Sequence, residues 1–143
     1  MSEQRLQGTC AFRLYPTDDL AAADSFATVE ETGAEGLVLR YGWTHADDGG
    51  QTGAILVGKP AEDGALRVAW TDGWHQPEAT LLTGSGDARS FEVSYEYAPG
   101  WHWSISLRAH ESEIEMVMRN QTPPEVADPT PYDVMVARWE VAG

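Results

Sequence analysis

Strict two-residue alternation of apolar and polar side chains, repeated along nearly the whole chain, constrains this sequence more than any other feature. Leu37, Leu39, Tyr41, Trp43 and His45 fall on one face of an extended segment, with Val38, Arg40, Gly42 and Thr44 on the other. Leu66, Val68, Trp70, Asp72 and Trp74 repeat the pattern, as do Phe91, Val93, Tyr95 and Tyr97. Trp101, Trp103, Ile105, Leu107 and Ala109 follow, then Ile114, Met116 and Met118. Side chains on a strand point alternately to opposite faces, so each run predicts a half-buried antiparallel strand. The runs predict ten strands, at 7–14, 25–31, 37–45, 51–58, 65–72, 79–84, 90–97, 102–109, 113–120 and 132–140.

Turn chemistry falls between the runs. Glu31–Gly33, Asp47–Gly50, Glu62–Gly64, Gly84–Asp87, Pro99–Gly100 and His110–Ser112 supply residues that form tight turns or tolerate positive φ. Short connections and regular spacing predict a meander that curls and closes, because closure removes exposed edges. Two segments break the rhythm. Thr17–Asp24 predicts a short helix between the first two strands: Thr17 can cap it, Asp18 and Asp19 suit the positive end of its dipole, and three alanines favour it. Gln121–Pro131, with four prolines, predicts a long irregular loop before the last strand.

At 143 residues the chain is sized for one domain, 1–143, able to bury a core without staples. No apolar run is long enough for a transmembrane helix. The segment Met1–Gly8 has no apolar core of a leader, which makes the cytoplasm the expected compartment. A net charge of −14 argues against nucleic acid and anionic membranes as partners, since both repel an acidic surface. The lone cysteine, Cys10, excludes an internal disulfide and reads as a small buried hydrophobe. Met116, Met118 and Met135 read as core filler.

Six tryptophans and five tyrosines cluster on the inward faces with polar neighbours. Tyr41, Trp43 and His45 end one strand, and Trp70, Asp72, Trp74 and His75 end another that follows soon after in the meander. Trp103, with Tyr95 by parity, adds a further wall. Aromatic walls with a few polar handles characterise ligand pockets, although large aromatics also simply fill barrels. Asp72 falls on an apolar face, where a carboxylate must be paired or hydrogen-bonded. It can act as a polar anchor, as an acid/base partner of His75, or as an acceptor for backbone amides or an indole that shapes the turn. The histidines at 45, 75, 102 and 110 show no metal-ligand spacing, so no metal is expected. Haem on one of His45 or His75 is conceivable because a single proximal histidine suffices, but a hydrogen-bonded histidine at a strand end is the simpler reading. No nucleophile elbow, phosphate loop or complete calcium loop is present in the sequence.

The segments Tyr41–His45, Gly53 to Gly58, Ala69–His75 and Gly100–Ile105, followed by Met116, Met118 and Asn120, resemble the bacterial DUF1579 family, over roughly residues 6 to 140. The Trp70-x-Asp72-x-Trp74-His75 core carries most of the likeness. The resemblance implies an all-β, antiparallel, up-and-down calycin-like barrel of lipocalin or fatty-acid-binding-protein type, and it implies no chemistry. In that frame the Thr17–Asp24 helix looks like a lid. Haem-binding relatives of the nitrobindin type carry a Gly-x-Trp-x-Gly motif where this chain has Gly8–Phe12, lacking its Trp and second Gly.

Three functions remain open. The first is a barrel binding a small apolar or aromatic molecule through Tyr41, Trp43, His45, Trp70, Asp72, Trp74, His75 and Trp103, with no cofactor. The second is an isomerase- or lyase-type enzyme using Asp72 and His75 with Tyr41. The third is a structural module with a packed interior, such as a homodimer.

Overall fold

The computed structural model describes residues 3–45 and 47–141. The expectation that no leader precedes the barrel rests partly on Met1 and Ser2, outside these residues. Ten antiparallel strands form the chain: β1 Gln4–Phe12, β2 Ala21–Thr32, β3 Gly36–His45, β4 Gly49–Val57, β5 Leu66–Asp72, β6 Gln76–Asp87, β7 Ser90–Ala98, β8 Trp101–Ala109, β9 Glu113–Gln121 and β10 Tyr132–Val141. Each pairs with its neighbours in sequence, and β1 pairs with β10 to close the barrel. Meander topology puts the connections alternately at two ends. The turns after β3, β5 and β7 and the long loops after β1 and β9 share one end, called the mouth below. No helix of the described residues is long and apolar enough to cross a membrane.

Parity separates the faces as the alternation requires. Tyr41, Trp43, Trp70 and Trp103 are buried, while Arg40, Arg67 and Glu92 on the other face are exposed. Away from the mouth the interior is filled by Leu37, Val57, Leu66, Phe91, Leu107 and Ile114, and the fully buried Met116, Met118 and Met135 extend this core toward the mouth. Cys10 lies in this core, and its thiol is pushed up to about 12 by burial and by the negative charge of Asp72. It is inert filler.

The expected helix at Thr17–Asp24 is absent. Residues 14–18 form turns: the Tyr15 carbonyl accepts from the Asp18 N–H at 3.0 Å, and the Asp18 carboxylate accepts from the Tyr15 N–H at 3.3 Å. The alanines belong to β2, where Ala21, Ala22 and Ala23 pair with Phe12, Ala11 and Cys10. Closing the barrel requires a partner along the upper half of β1, and that tertiary demand overrides a weak helical propensity. The segment Gly84–Asp87 is also not a turn. It continues β6, and the reversal falls at Ala88 and Arg89, whose N–H bonds the Asp87 carboxylate at 2.9 Å. Glycine is required there because a Cβ at Gly84 or Gly86 would overlap the backbone of β7.

The seam between β6 and β7 is incomplete toward the mouth. β6 pairs with β7 only from Thr83 to Asp87, against Ser90 to Ser94. Above it no ladder joins Gln76–Leu82 to Tyr95–Ala98. The gap is bridged by side chains: the Tyr95 hydroxyl donates to Gln76 Oε1 at 2.7 Å. Behind it the rings of Trp70 and Trp103 stack with centroids 5.7 Å apart.

Closure itself depends on Gly8, since a Cβ there would overlap the Arg138 carbonyl and the Trp139 backbone of β10. Gly8→Ala is expected to lower stability by about 1–3 kcal/mol in urea denaturation, as overpacking against backbone does. Gly58→Ala, where a Cβ meets nothing within 4 Å, should stay within about 0.5 kcal/mol of the parent.

Candidate functional site

The mouth half of the interior begins at Asp72, the last residue of β5, which has no solvent exposure. Its Oδ2 accepts from the Tyr41 hydroxyl at 2.5 Å. Its Oδ1 accepts from the backbone N–H groups of Trp74 and His75 at 2.8 and 3.0 Å. The carboxylate thereby folds the β5–β6 turn onto itself, an arrangement available to Asp and Asn side chains two and three residues before the amides they bond. Tyr41 in turn accepts from Trp70 Nε1 at 3.0 Å. Burial first, and the neighbouring Asp72 charge second, push the Tyr41 phenol well above its usual value. Gly53 of β4 lies under the Tyr41 ring, where a Cβ would overlap it. Glycine here lets Tyr41 lie across β4 and reach Asp72 on β5.

Asp72 therefore meets His75 through the backbone and not through the imidazole. The amide-binding role is the one this geometry displays. Tyr41, Trp70 and Asp72 form a satisfied floor beneath the mouth.

Above the floor the rings close a circuit. Tyr41 stacks with Trp43 at 6.0 Å and Trp43 with His75 at 6.0 Å, His75 meets Trp103 at a tilt with centroids 5.0 Å apart, and Trp103 stacks with Trp70, whose indole returns to Tyr41. Trp74 packs edge-on against Trp43 and His75, and its Nε1 donates to the Asp48 carboxylate at 2.9 Å, tying two turns of the mouth together. His45 Nδ1 accepts from the N–H groups of Asp47 and Asp48, both at 3.1 Å, which fixes it as an acceptor and leaves any proton on Nε2. All eight residues expected at the site are thus gathered at one end of the barrel.

Three buried nitrogens in this cluster have no hydrogen-bond partner: Trp43 Nε1, Trp103 Nε1 and His75 Nε2. All three nitrogens are shielded from bulk solvent, and Trp43 and Trp103 are 2% and 8% exposed as whole residues. The indoles are obligate donors. Burial lowers the His75 imidazole to about 4, with His45 adding to the shift and Asp72 opposing it. His75 is therefore neutral at physiological pH, and one of its nitrogens remains an acceptor. Haem on His75 does not fit this arrangement, because the indoles of Trp43, Trp74 and Trp103 pack around the ring at 6.0, 4.5 and 5.0 Å. Among the described residues no group of three or more His, Cys, Asp or Glu side chains is placed to hold a metal ion.

Residues outside the expected set also build the site. Phe12 stacks on His45 at 5.0 Å and meets Trp74 at 5.8 Å. It reaches across β2 because that strand offers only alanines at this level, the same alanines that suggested a helix. Gln76 contributes the bridge to Tyr95. The small-residue run opposite a phenylalanine was the available signal for Phe12, whereas nothing local marks Gln76. No family model matches the chain, and no curated protein matches it. The likeness to DUF1579 rests on its residues alone.

Two outcomes test the site. Tyr41→Phe leaves both Asp72 Oδ2 and Trp70 Nε1 unpaired in a dry interior, and should lower stability by about 3 kcal/mol in urea denaturation. Stability should also depend on pH through His75. The unfolded imidazole titrates at 6.5 and the folded one at about 4. Between those values the unfolded chain binds more protons, so stability falls as pH drops through the window, by about 3 kcal/mol in all, and this contribution is constant outside it. Urea midpoints of the parent and of His75→Phe across this window check it: the variant should lack that part of the slope.

Proposed function

We propose that the protein is a binding barrel that takes a small, neutral, aromatic or apolar molecule carrying a hydrogen-bond acceptor, held among Trp43, His75 and Trp103. The observation that carries this reading is the set of three unpartnered nitrogens in an interior whose other polar groups are paired. Leaving such groups unpaired costs about 1–3 kcal/mol each, and a ligand that supplies acceptors recovers this. Neutrality follows from the surroundings. Among the described residues the buried charge is Asp72, and no Lys or Arg is buried to offset an anion. The rings supply flat apolar contact. Catalysis by Asp72 and His75 is less well supported, because the carboxylate is fully buried and already accepts three hydrogen bonds. Kinship with the DUF1579 family and a cytoplasmic setting belong to the same proposal. The first is supported by Tyr41–His45 and Ala69–His75, both at the site.

The test reads the indole N–H resonances during titration with benzamide, a neutral aromatic carbonyl probe. The Trp43 and Trp103 signals should move downfield. Those of Trp70 and Trp139, already bonded to Tyr41 and Ser25, should stay. Trp43→Phe should weaken the probe about five- to tenfold, the worth of one hydrogen bond. Unmoved indole signals, together with an ordered water bridging the three nitrogens in a crystal structure, would overturn the proposal.

A further inference from the structure

The mouth carries a groove outside the aromatic circuit. The loop 13–20 after β1 and the loop 122–131 after β9 enclose a groove of ≈ 630 Å³ whose main walls are Leu14, Tyr15, Trp101, Val126, Pro131 and Tyr132. Leu14, Tyr15 and Val126 are 57%, 63% and 58% exposed. Three large apolar side chains held open to water around one concave site mark a binding surface, because isolated exposed apolar residues are ordinary but convergent ones are not.

We propose that this groove binds an amphiphilic organic cation, an amine or quaternary ammonium group on an apolar body. It is a site separate from that of the interior ligand, and the argument does not depend on that ligand. The Tyr97, Asn120, Tyr132 and Thr122 side chains in and beside the groove are committed to one another or to backbone carbonyls. The Tyr97 hydroxyl donates to Asn120 Oδ1 at 2.6 Å, Asn120 Nδ2 donates to Tyr132 at 3.2 Å, and the Tyr132 hydroxyl donates to the Leu14 carbonyl at 2.9 Å. The Thr122 hydroxyl donates to the Asp128 carbonyl at 3.2 Å. The groove thus aims no charged donor at an anionic head group.

Charge selects the sign of the guest. The two loops hold Asp18, Asp19, Glu125 and Asp128 against a single Arg13. Arg13 is engaged by the carbonyls of Asp133, Pro16 and Asp18 at 2.7, 3.3 and 3.1 Å. Asp128 itself lines the groove, and hydrogen bonds from Thr130 hold its carboxyl below the usual range, so it is ionised at neutral pH. The aromatic walls suit the same sign, since a ring face attracts a cation. Tyr132 already shows this: the Arg13 guanidinium lies 5.9 Å from its centroid. A carboxylate amphiphile such as a fatty acid would meet repulsion from the same loops and from a chain of net charge −14.

Calorimetric titration with decyltrimethylammonium, decanol and decanoate, each below its aggregation threshold, decides the matter. One cation should bind per chain, about tenfold tighter than decanoate, with affinity falling as salt is raised. Asp128→Asn keeps an acceptor for Thr130 and should weaken the cation severalfold while leaving decanol unchanged. Leu14→Ser and Val126→Ser, at exposed positions that the fold does not need, should weaken both. Decanoate binding as tightly as the cation would overturn the proposal. So would cation binding that none of the three substitutions alters, because it would then lie elsewhere on the chain.

Discussion

A carboxylate without solvent contact sits where strand β5 ends and the mouth of the barrel begins, and the arrangement above it depends on that group. Asp72 accepts one hydrogen bond from Tyr41 and two from the backbone of the turn that follows. An ion removed from water is tolerated only when its lone pairs are filled this way. Filling them fixes the path of the turn and, with it, the positions of Trp74 and His75. It also fixes Tyr41, which then receives the Trp70 indole. Three of the rings in the aromatic circuit thus owe their places to the same charge. An apolar side chain of similar size would relieve the burial penalty and leave the turn without its internal acceptor.

The barrel was legible in the sequence because the burial of most strands follows the two-residue period and, β1 and β10 apart, each neighbour in space is a neighbour in the chain. The inward set at Leu37, Leu39, Tyr41 and Trp43 followed from parity alone, and the ten strands fall where the runs of alternation lie. Asp72 announced itself for the same reason, as a carboxylate on an apolar face. Illegible were features decided by closure. Ala21–Ala23 carry a helical propensity of a few tenths of a kcal/mol per residue, which cannot compete with the backbone hydrogen bonds of a ladder against β1. Gly84 and Gly86 look like turn residues, and only the nearness of the β7 backbone explains why glycine is needed within a strand. Phe12 joins the site through curvature, reaching past β2 to His45, a relation no local pattern encodes.

The interior cluster and the outer groove differ in chemistry although they share an end of the molecule. The interior cluster is built of rings, three of whose nitrogens are unpaired, above a carboxylate already satisfied. The groove has its Asn120, Thr122 and Tyr132 side chains paired and presents hydrocarbon and ring faces beneath acidic loops. Hydrogen-bond pairing, more than shape, distinguishes what each can take up.

The ladder between β1 and β10 sets this molecule apart from a row of hairpins in the way it must assemble. The other ladders join strands linked by short or moderate connections. This one joins Leu6 to Val141 and Phe12 to Met135, nearly the full length of the chain apart. Loop-closure entropy grows only as the logarithm of length, so bringing these ends together costs about 3 kcal/mol more than closing a hairpin of a few residues. Seven paired positions along the ladder, with Cys10 and Trp139 buried on its inner side, offset that cost. Until they do, the chain is a curved sheet with two free edges. One of them, β1, carries the glycine that admits β10, so the contact that removes the edges is also the one most sensitive to a single methyl group.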